Sequence, residues 1–163
     1  MPALLRRVPS AVAVLLGEGS ERRRLEKAAE RLGVARSVRF PGAVANRELP
    51  SWFRSASIIL SLLDRTNASN PVFEAMACER CVVALDTGTT REVIIPERTG
   101  VLVPAGGVSG LGDLLADLLD DHERRDRLGR EARAHIRSLL LDPPARMDQE
   151  IAILLDVIGG ARR

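Results

Sequence analysis

The 163 residues are 45% apolar and 28% charged, the balance of a single globular domain able to bury a core without disulfide staples. Twenty-four basic residues, all arginine except Lys27, stand against 22 acids for a net charge of +2. The signs are interspersed and the aromatics are only Phe40, Trp52, Phe53 and Phe73, which argues against a nucleic-acid stripe and leaves an aliphatic core.

The chain starts Met1-Pro2-Ala3-Leu4-Leu5-Arg6-Arg7, which reads as the tail of a helix and lacks the long apolar centre of a signal peptide. Ala11 to Leu16 is continuously apolar, the pattern of a strand covered on both faces. Gly17-Glu18-Gly19 breaks it. Ser20 is placed to cap a helix from Glu21 to Leu32 with Leu25, Ala28, Ala29 and Leu32 inward, and Gly33 suits its end. Ser37 to Phe40 is a short strand, turned by Pro41-Gly42. Asn46 is placed to cap a helix to Arg54 that carries Leu49, Trp52 and Phe53 inward.

Ser57 to Leu62 is the third strand, followed by a polar loop, Asp64 to Ser69. Asn70-Pro71 reads as an N-cap and a proline at the first helical position, with the helix running to about Cys78. Cys81 to Leu85 is a fourth strand, Thr90 to Ile94 a short helix, and Val101 to Val103 a fifth strand. Ser109 is placed to cap a helix to Leu119, Asp121 another through Leu139, and Asp142-Pro143 opens a last one to Ile158. No apolar run approaches the ~18 residues that a membrane span needs, so the expected location is cytoplasmic.

Strands alternating with helices predict an α/β fold: a Rossmann-like parallel sheet of about five strands, helices on both faces, and extra helices at the C-terminal end. The whole chain, 1–163, is expected to be one domain, with its core over 8–140 and a C-terminal helix over 143–158. Ligands of such sheets bind beyond the carboxyl ends of the strands. That rim holds Gly17-Glu18-Gly19, Pro41 to Val44, Asp64 to Glu74 and Asp86 to Thr90. Cys78 and Cys81 form a CxxC at the end of a helix rather than its start, and His122 and His135 lie far off. The pair reads as two buried thiols, with neither redox nor zinc chemistry.

The helix beginning at Asn70-Pro71 is the most informative stretch. Its free amides and positive dipole end suit a phosphate. Glu74, one turn in, has two readings that the residues leave open: a carboxylate for a vicinal diol such as a ribose, or simple complementation of the helix dipole.

The run Phe73-Glu74-Ala75-Met76-Ala77-Cys78, then Val82-Val83-Ala84, Asp86-Thr87-Gly88 with Glu92-Val93-Ile94, and Thr99-Gly100-Val101-Leu102-Val103-Pro104, resembles the donor half of retaining GT-B glycosyltransferases of family 4. Leu15-Leu16-Gly17-Glu18-Gly19-Ser20-Glu21, Val38-Arg39-Phe40-Pro41-Gly42 and Glu48-Leu49-Pro50 to Ala56 resemble the family's earlier segments, so the likeness runs from Val8 to Ile158. It implies the C-terminal, nucleotide-sugar-binding half of a GT-B fold. Glu74 then matches the second glutamate of the family's paired motif, on the ribose hydroxyls. Ser69, Asn70 and Val72 lie along the diphosphate, where Pro71 has no N–H to donate. Gly17 and Gly19 admit the nucleotide, and Gly42, Ala43 and Val44 pass the base edge. Gly17, Gly19 and Gly42 also read as plain turns.

Departures from the pattern shape the expectation. Thr66 stands where the motif's first glutamate touches the donor sugar, with Asp64, Asn67 and Asn70 as candidate substitutes. Glu79 stands where a glycine is expected, Cys81 where a proline is, and Thr89 where another glycine is. The family's first strand-loop-helix, with its Arg and Lys for the diphosphate, has no counterpart, and Lys27 falls on the polar side of its helix. No acceptor half is expected within these 163 residues. The resemblance implies a nucleoside-diphosphate sugar as donor, no metal or other cofactor, and an acceptor-domain partner or self-association through the C-terminal helix. The alternatives are a non-catalytic remnant or partner subunit, a nucleotide-sugar epimerase-like domain and a flavodoxin-like phosphate binder. The late placement of His122 and His135 counts against the epimerase, and the late helices count against the last.

Overall fold

The computed structural model describes residues 1–63 and 70–139, with the single positions 147, 151 and 152. In chain order the elements are α1 (Pro2–Arg7), β1 (Ala13–Leu16), α2 (Arg22–Arg31), β2 (Val38–Gly42), α3 (Leu49–Ser55), β3 (Ile58–Ser61), α4 (Asn70–Ala77), β4 (Cys81–Leu85), α5 (Thr90–Val93), β5 (Val101–Val103), α6 (Leu111–Asp120) and α7 (His122–Leu139). The expected α/β alternation with five strands holds. Among the described residues all strand pairing is parallel, as helical crossovers require, but the strands divide into a pair, β1-β2, and a triple, β3-β4-β5.

β4 is the centre of the molecule. It pairs on both edges, with Ile58 opposite Cys81 on one side and Val83 opposite Val101 on the other, and all five of its residues are buried. Its side chains alternate between two cores, as the two-residue period of a strand demands. Cys81, Val83 and Leu85 pack with Leu4, Leu115, Ala116, Leu118 and Leu128, which belong to α1, α6 and α7. Val82 and Ala84 pack on the other side with Val72, Ala75 and Met76 of α4 and Ala132 and Ile136 of α7. Helices therefore cover both faces of the triple.

The first strand departs from its expected burial. Val14, Leu15 and Leu16 are exposed at 43%, 37% and 36%, so the apolar run is not covered on both faces. On α2 only Ala29 is buried and Ala28 half-buried, while Leu25 and Leu32 are exposed rather than inward. One cause serves both: among the described residues β1-β2 pairs with no third strand, so α2 has little sheet to pack on.

Helix ends follow local chemistry in part. Gly33 takes φ +69, and the bonds from Gly33 N–H to Glu30 and from Val34 N–H to Ala29 close α2 as a Schellman motif. Asp121 caps α7 through its carboxylate, which accepts from the Arg124 amide at 2.9 Å. Ser20, Asn46 and Ser109 do not cap. α2 starts after Glu21, and the segments at Asn46–Glu48 and Gly107–Gly110 wind as tight 3-10 turns ahead of α3 and α6. Phe53 of α3 is buried, with Trp52 and Leu49 half-buried. The expected helix over 143–158 lies outside the described residues except at 147, 151 and 152, which are helical and exposed.

Candidate functional site

The strand ends converge on two clusters. At the first, β1 runs into Gly17 and β2 ends on Gly42. The Gly17 amide donates to the Gly42 carbonyl at 2.8 Å, which ties the two turns together. Both glycines need the left-handed half of backbone space, with φ +118 and +89. A Cβ at Gly42 would also sit 2.5 Å from Glu18 Oε1. Gly19 has no such conformational demand, and open space lies beside its Cα. Ala43 is exposed and Val44 half-buried.

Arg22, in the first turn of α2, organises this cluster. Its guanidinium donates to Glu26 at 2.9 Å, to Glu18 at 3.1 Å and to the Phe40 carbonyl at 3.0 Å. The hydrogen bond to Glu26, helped by the charge of Glu18, raises its pKa above the ordinary arginine value. The interspersed charges of the sequence do not set Arg22 apart from its neighbours. The signal that could have found it is its i±4 spacing to Glu18 and Glu26.

At the second cluster, β3 leads toward α4 and β4 ends at Asp86. The Thr87 hydroxyl donates to the Leu63 carbonyl at 3.1 Å, and the Asp86 amide to Val103 at 2.8 Å, so the β4 turn is fastened to the ends of both neighbouring strands. The Asp86 carboxylate holds the Arg91 guanidinium through two hydrogen bonds, which raise the arginine's pKa. The sequence reading placed Asp86 on the rim but assigned no role to Arg91.

Glu74 lies in the second turn of α4 with an exposed side chain. Its carboxylate makes no hydrogen bond or ion pair with any described residue. Asn70 is exposed at the helix start, and the Val72 side chain is buried in the core, which leaves only its backbone available to a ligand. Asp64, Thr66, Asn67 and Ser69 lie outside the described residues. The structure thus brings Gly17 and Gly42 together. Among the described residues no hydrogen bond links them to α4.

Other candidates fall away from the rim. Lys27 is exposed on α2. His122 and His135 are both on α7. Cys81 is buried and Cys78 half-buried, both free, and burial pushes the Cys81 thiol up to about 11.

The model of the family described as glycosyl transferases group 1 matches residues 1–135. The chain belongs to the glycosyl transferases group 1 family. A D-inositol 3-phosphate glycosyltransferase of Xylanimonas cellulosilytica is 34% identical over 154 residues, which is 92% of this chain and 36% of the relative. A GDP-mannose-dependent alpha-(1-6)-phosphatidylinositol monomannoside mannosyltransferase of Mycobacterium tuberculosis is 31% identical over 82% of this chain and 36% of its own. This group 1 glycosyltransferase chain spans about a third of the curated relatives' length.

Among solved structures, the C-terminal domain of a group 1 glycosyl transferase (LpcC) from Francisella tularensis superposes with a TM-score of 0.74 at 26% identity, over 83% of this chain and 72% of that one. HepE of Anabaena, solved with UDP and glucose, gives a TM-score of 0.77 at 22% identity, over 96% of this chain and 44% of that one, a likeness of fold. The architecture of this glycosyl transferases group 1 chain is that of the C-terminal domain of a GT-B enzyme. Among the described residues no helix is long and apolar enough to cross a membrane.

Proposed function

We propose that this chain is the donor half of a retaining, family-4-type glycosyltransferase and holds the nucleoside diphosphate of a sugar donor at the strand-end rim. The observation that carries this reading is Glu74: an exposed carboxylate without a described partner, one turn into a helix that follows the carboxyl end of a parallel strand. A carboxylate so placed accepts two hydrogen bonds from a ribose diol. The amides of the first turn, Val72 among them, face the diphosphate in company with the positive end of the helix dipole. Gly17, Gly19, Gly42, Ala43 and Val44 are assigned to the base, and Thr66, Asn67, Ser69 and Asn70 to the sugar and phosphates.

Helix dipole and amides stabilise a departing diphosphate without a metal. Sugar transfer itself needs a facing acceptor half, so no residue here is assigned to the chemical step, and the isolated chain is expected to bind rather than transfer. The relatives named above, a GDP-mannose-dependent mannosyltransferase and a D-inositol 3-phosphate glycosyltransferase, guide the choice of ligands to try.

A second reading, a partner subunit with weak nucleotide affinity, is favoured by the arginines. Arg22 is paired with Glu18 and Glu26, and Arg91 with Asp86, so a diphosphate has to compete with these carboxylates for either guanidinium. A diphosphate without two charge-assisted bonds from a basic clamp binds roughly 100-fold or more weakly. Calorimetry with UDP, GDP and ADP separates the two. Binding of one diphosphate that Glu74→Ala abolishes supports the donor site. The absence of heat with all three removes it.

A further inference from the structure

Glu18 fills the space that a side chain at Gly42 would take. Its Oε1 lies 2.5 Å from where a Cβ on Gly42 would stand, so a carboxylate oxygen covers the α-carbon of the β2 turn. Gly42 is buried and takes φ +89, a conformation that favours glycine. Ala43 and Val44, the next two residues, are exposed and half-buried. The end of β2 thus presents a charged acceptor beside two small aliphatic residues.

Two constraints hold Glu18 there. Its backbone follows Gly17, whose amide donates to the Gly42 carbonyl at 2.8 Å. Its Oε1 accepts from Arg22 Nη1 at 3.1 Å, and the same guanidinium is tied to Glu26 and to the Phe40 carbonyl. The carboxylate is therefore placed before any ligand arrives, which lowers the cost of binding one. It is also open, for the Glu18 side chain is 58% exposed and Arg22 is its one partner among the described residues. A carboxylate has roughly four lone-pair sites, so Oε2 is left for a ligand. What it takes follows from its chemistry. An ionised carboxylate only accepts. Of the common nucleobases, guanine alone presents two neighbouring donors on its Watson–Crick edge, N1–H and the N2 amino group. Uracil has one N–H between two carbonyl oxygens, and adenine and cytosine have an amino group beside a ring nitrogen that accepts. Each of these sets an acceptor against the carboxylate, which is a repulsive element.

We propose that Glu18 is the residue that selects the base of the donor, and that it selects guanine by accepting from N1–H and the N2 amino group. The proposal rests on the donor reading above, in which Gly42, Ala43 and Val44 take the base. Arg22 is the positioning residue that aims the carboxylate, and Gly42 is the position whose missing side chain makes room for it.

Calorimetry with GDP, IDP, UDP and ADP tests it on the 163-residue chain and on Glu18→Gln. IDP carries hypoxanthine, which keeps N1–H and lacks the amino group. Expected are GDP as the tightest ligand and at least tenfold weaker binding of IDP, UDP and ADP, the worth of one charge-assisted bond. Glu18→Gln, which replaces one acceptor oxygen with a donor, should narrow the GDP-to-IDP ratio to about twofold. A change in that ratio is the readout that a purely structural role for Glu18 does not move. Equal affinity for GDP and IDP, another diphosphate bound tightest, or a Glu18→Gln that weakens all four alike overturns the proposal. In each of those cases a diphosphate still binds, and the donor site stands without base selection by Glu18. Heat from none of the four on the parent chain overturns the donor site and the base selection together.

Discussion

The Gly17 amide and the Gly42 carbonyl, 2.8 Å apart, close the ends of β1 and β2 into one turn pair. The bond exists because both residues hold backbone conformations that L side chains resist, φ +118 and +89. A side chain at Gly42 would also meet the Glu18 carboxylate, which has to shift to make room. Gly42→Ala should therefore destabilise the fold by roughly 1–3 kcal/mol. The midpoint of urea unfolding checks it, and a midpoint equal to the parent's would show that the turn relaxes freely.

Arg22 should prove to be the clasp of that turn. Its three bonds reach a loop carboxylate, a helix carboxylate and a strand carbonyl. Arg22→Lys keeps the charge but replaces a planar fork with a single ammonium that cannot span the three. Hydrogen exchange at Gly17 and Gly42 should quicken in Arg22→Lys, while exchange in β4, which Arg22 does not touch, stays as in the parent. Equal protection at both glycines would assign the turn's order to the backbone alone.

How far the sequence announces this fold depends on where the covering partner lies. β4 and β5 were bounded to the residue, because Cys81–Leu85 and Val101–Val103 are apolar runs flanked by turn residues and covered by helices of the same chain. Gly33 and Asp121 act as read because their chemistry is local, a positive φ and a side-chain cap. Val14, Leu25 and Leu32 misled for the opposite reason. Apolar type says that a residue is fit to be buried, and burial needs a neighbour that the two-stranded β1-β2 sheet does not provide. At the rim, Glu74 was legible as an exposed acid one turn into a helix. Arg22 was hidden, because an i±4 charge pair on a surface helix looks the same whether or not it also grips a strand carbonyl.

The Cys81 thiol gives the fold a pH dependence on the alkaline side. Burial raises its pKa from 9.0 to about 11, against the opposing pull of Arg124 and Arg125. The folded state then holds the thiol proton more tightly than the unfolded chain. Stability from this group is complete below about pH 9 and is lost as the pH climbs toward 11. A two-unit difference corresponds to at most about 3 kcal/mol. Unfolding free energies measured from pH 8 to 11 should fall more steeply for the parent than for Cys81→Ala, which removes the titrating group without adding bulk. Parallel profiles would show that the thiol does not contribute.

Glu79 is the C′ residue of a Schellman motif at the end of α4. Its amide bonds to Met76 and the Arg80 amide to Ala75, the pattern that Gly33 completes at the end of α2. Glu79 occupies the same left-handed region, with φ +61, but without a glycine's freedom. A side chain costs roughly 1–2 kcal/mol there. Offsetting this, its carboxylate pairs with Arg133 of α7 at 2.8 Å, a part-exposed bond worth about 0–1 kcal/mol. Backbone strain exceeds the ion pair, so Glu79→Gly should raise the melting temperature although it deletes a salt bridge. Glu79→Ala, which loses the pair and keeps most of the strain, should lower it. Gly129 sets the limit of this site, for α7 passes so close that a Cβ there would collide with the Glu79 carbonyl oxygen. Gly129→Ala should cost roughly 1–3 kcal/mol, as overpacking does. If Glu79→Gly and Glu79→Ala melt alike, the positive φ carries no penalty here, and the ion pair with Arg133 decides the stability of the turn.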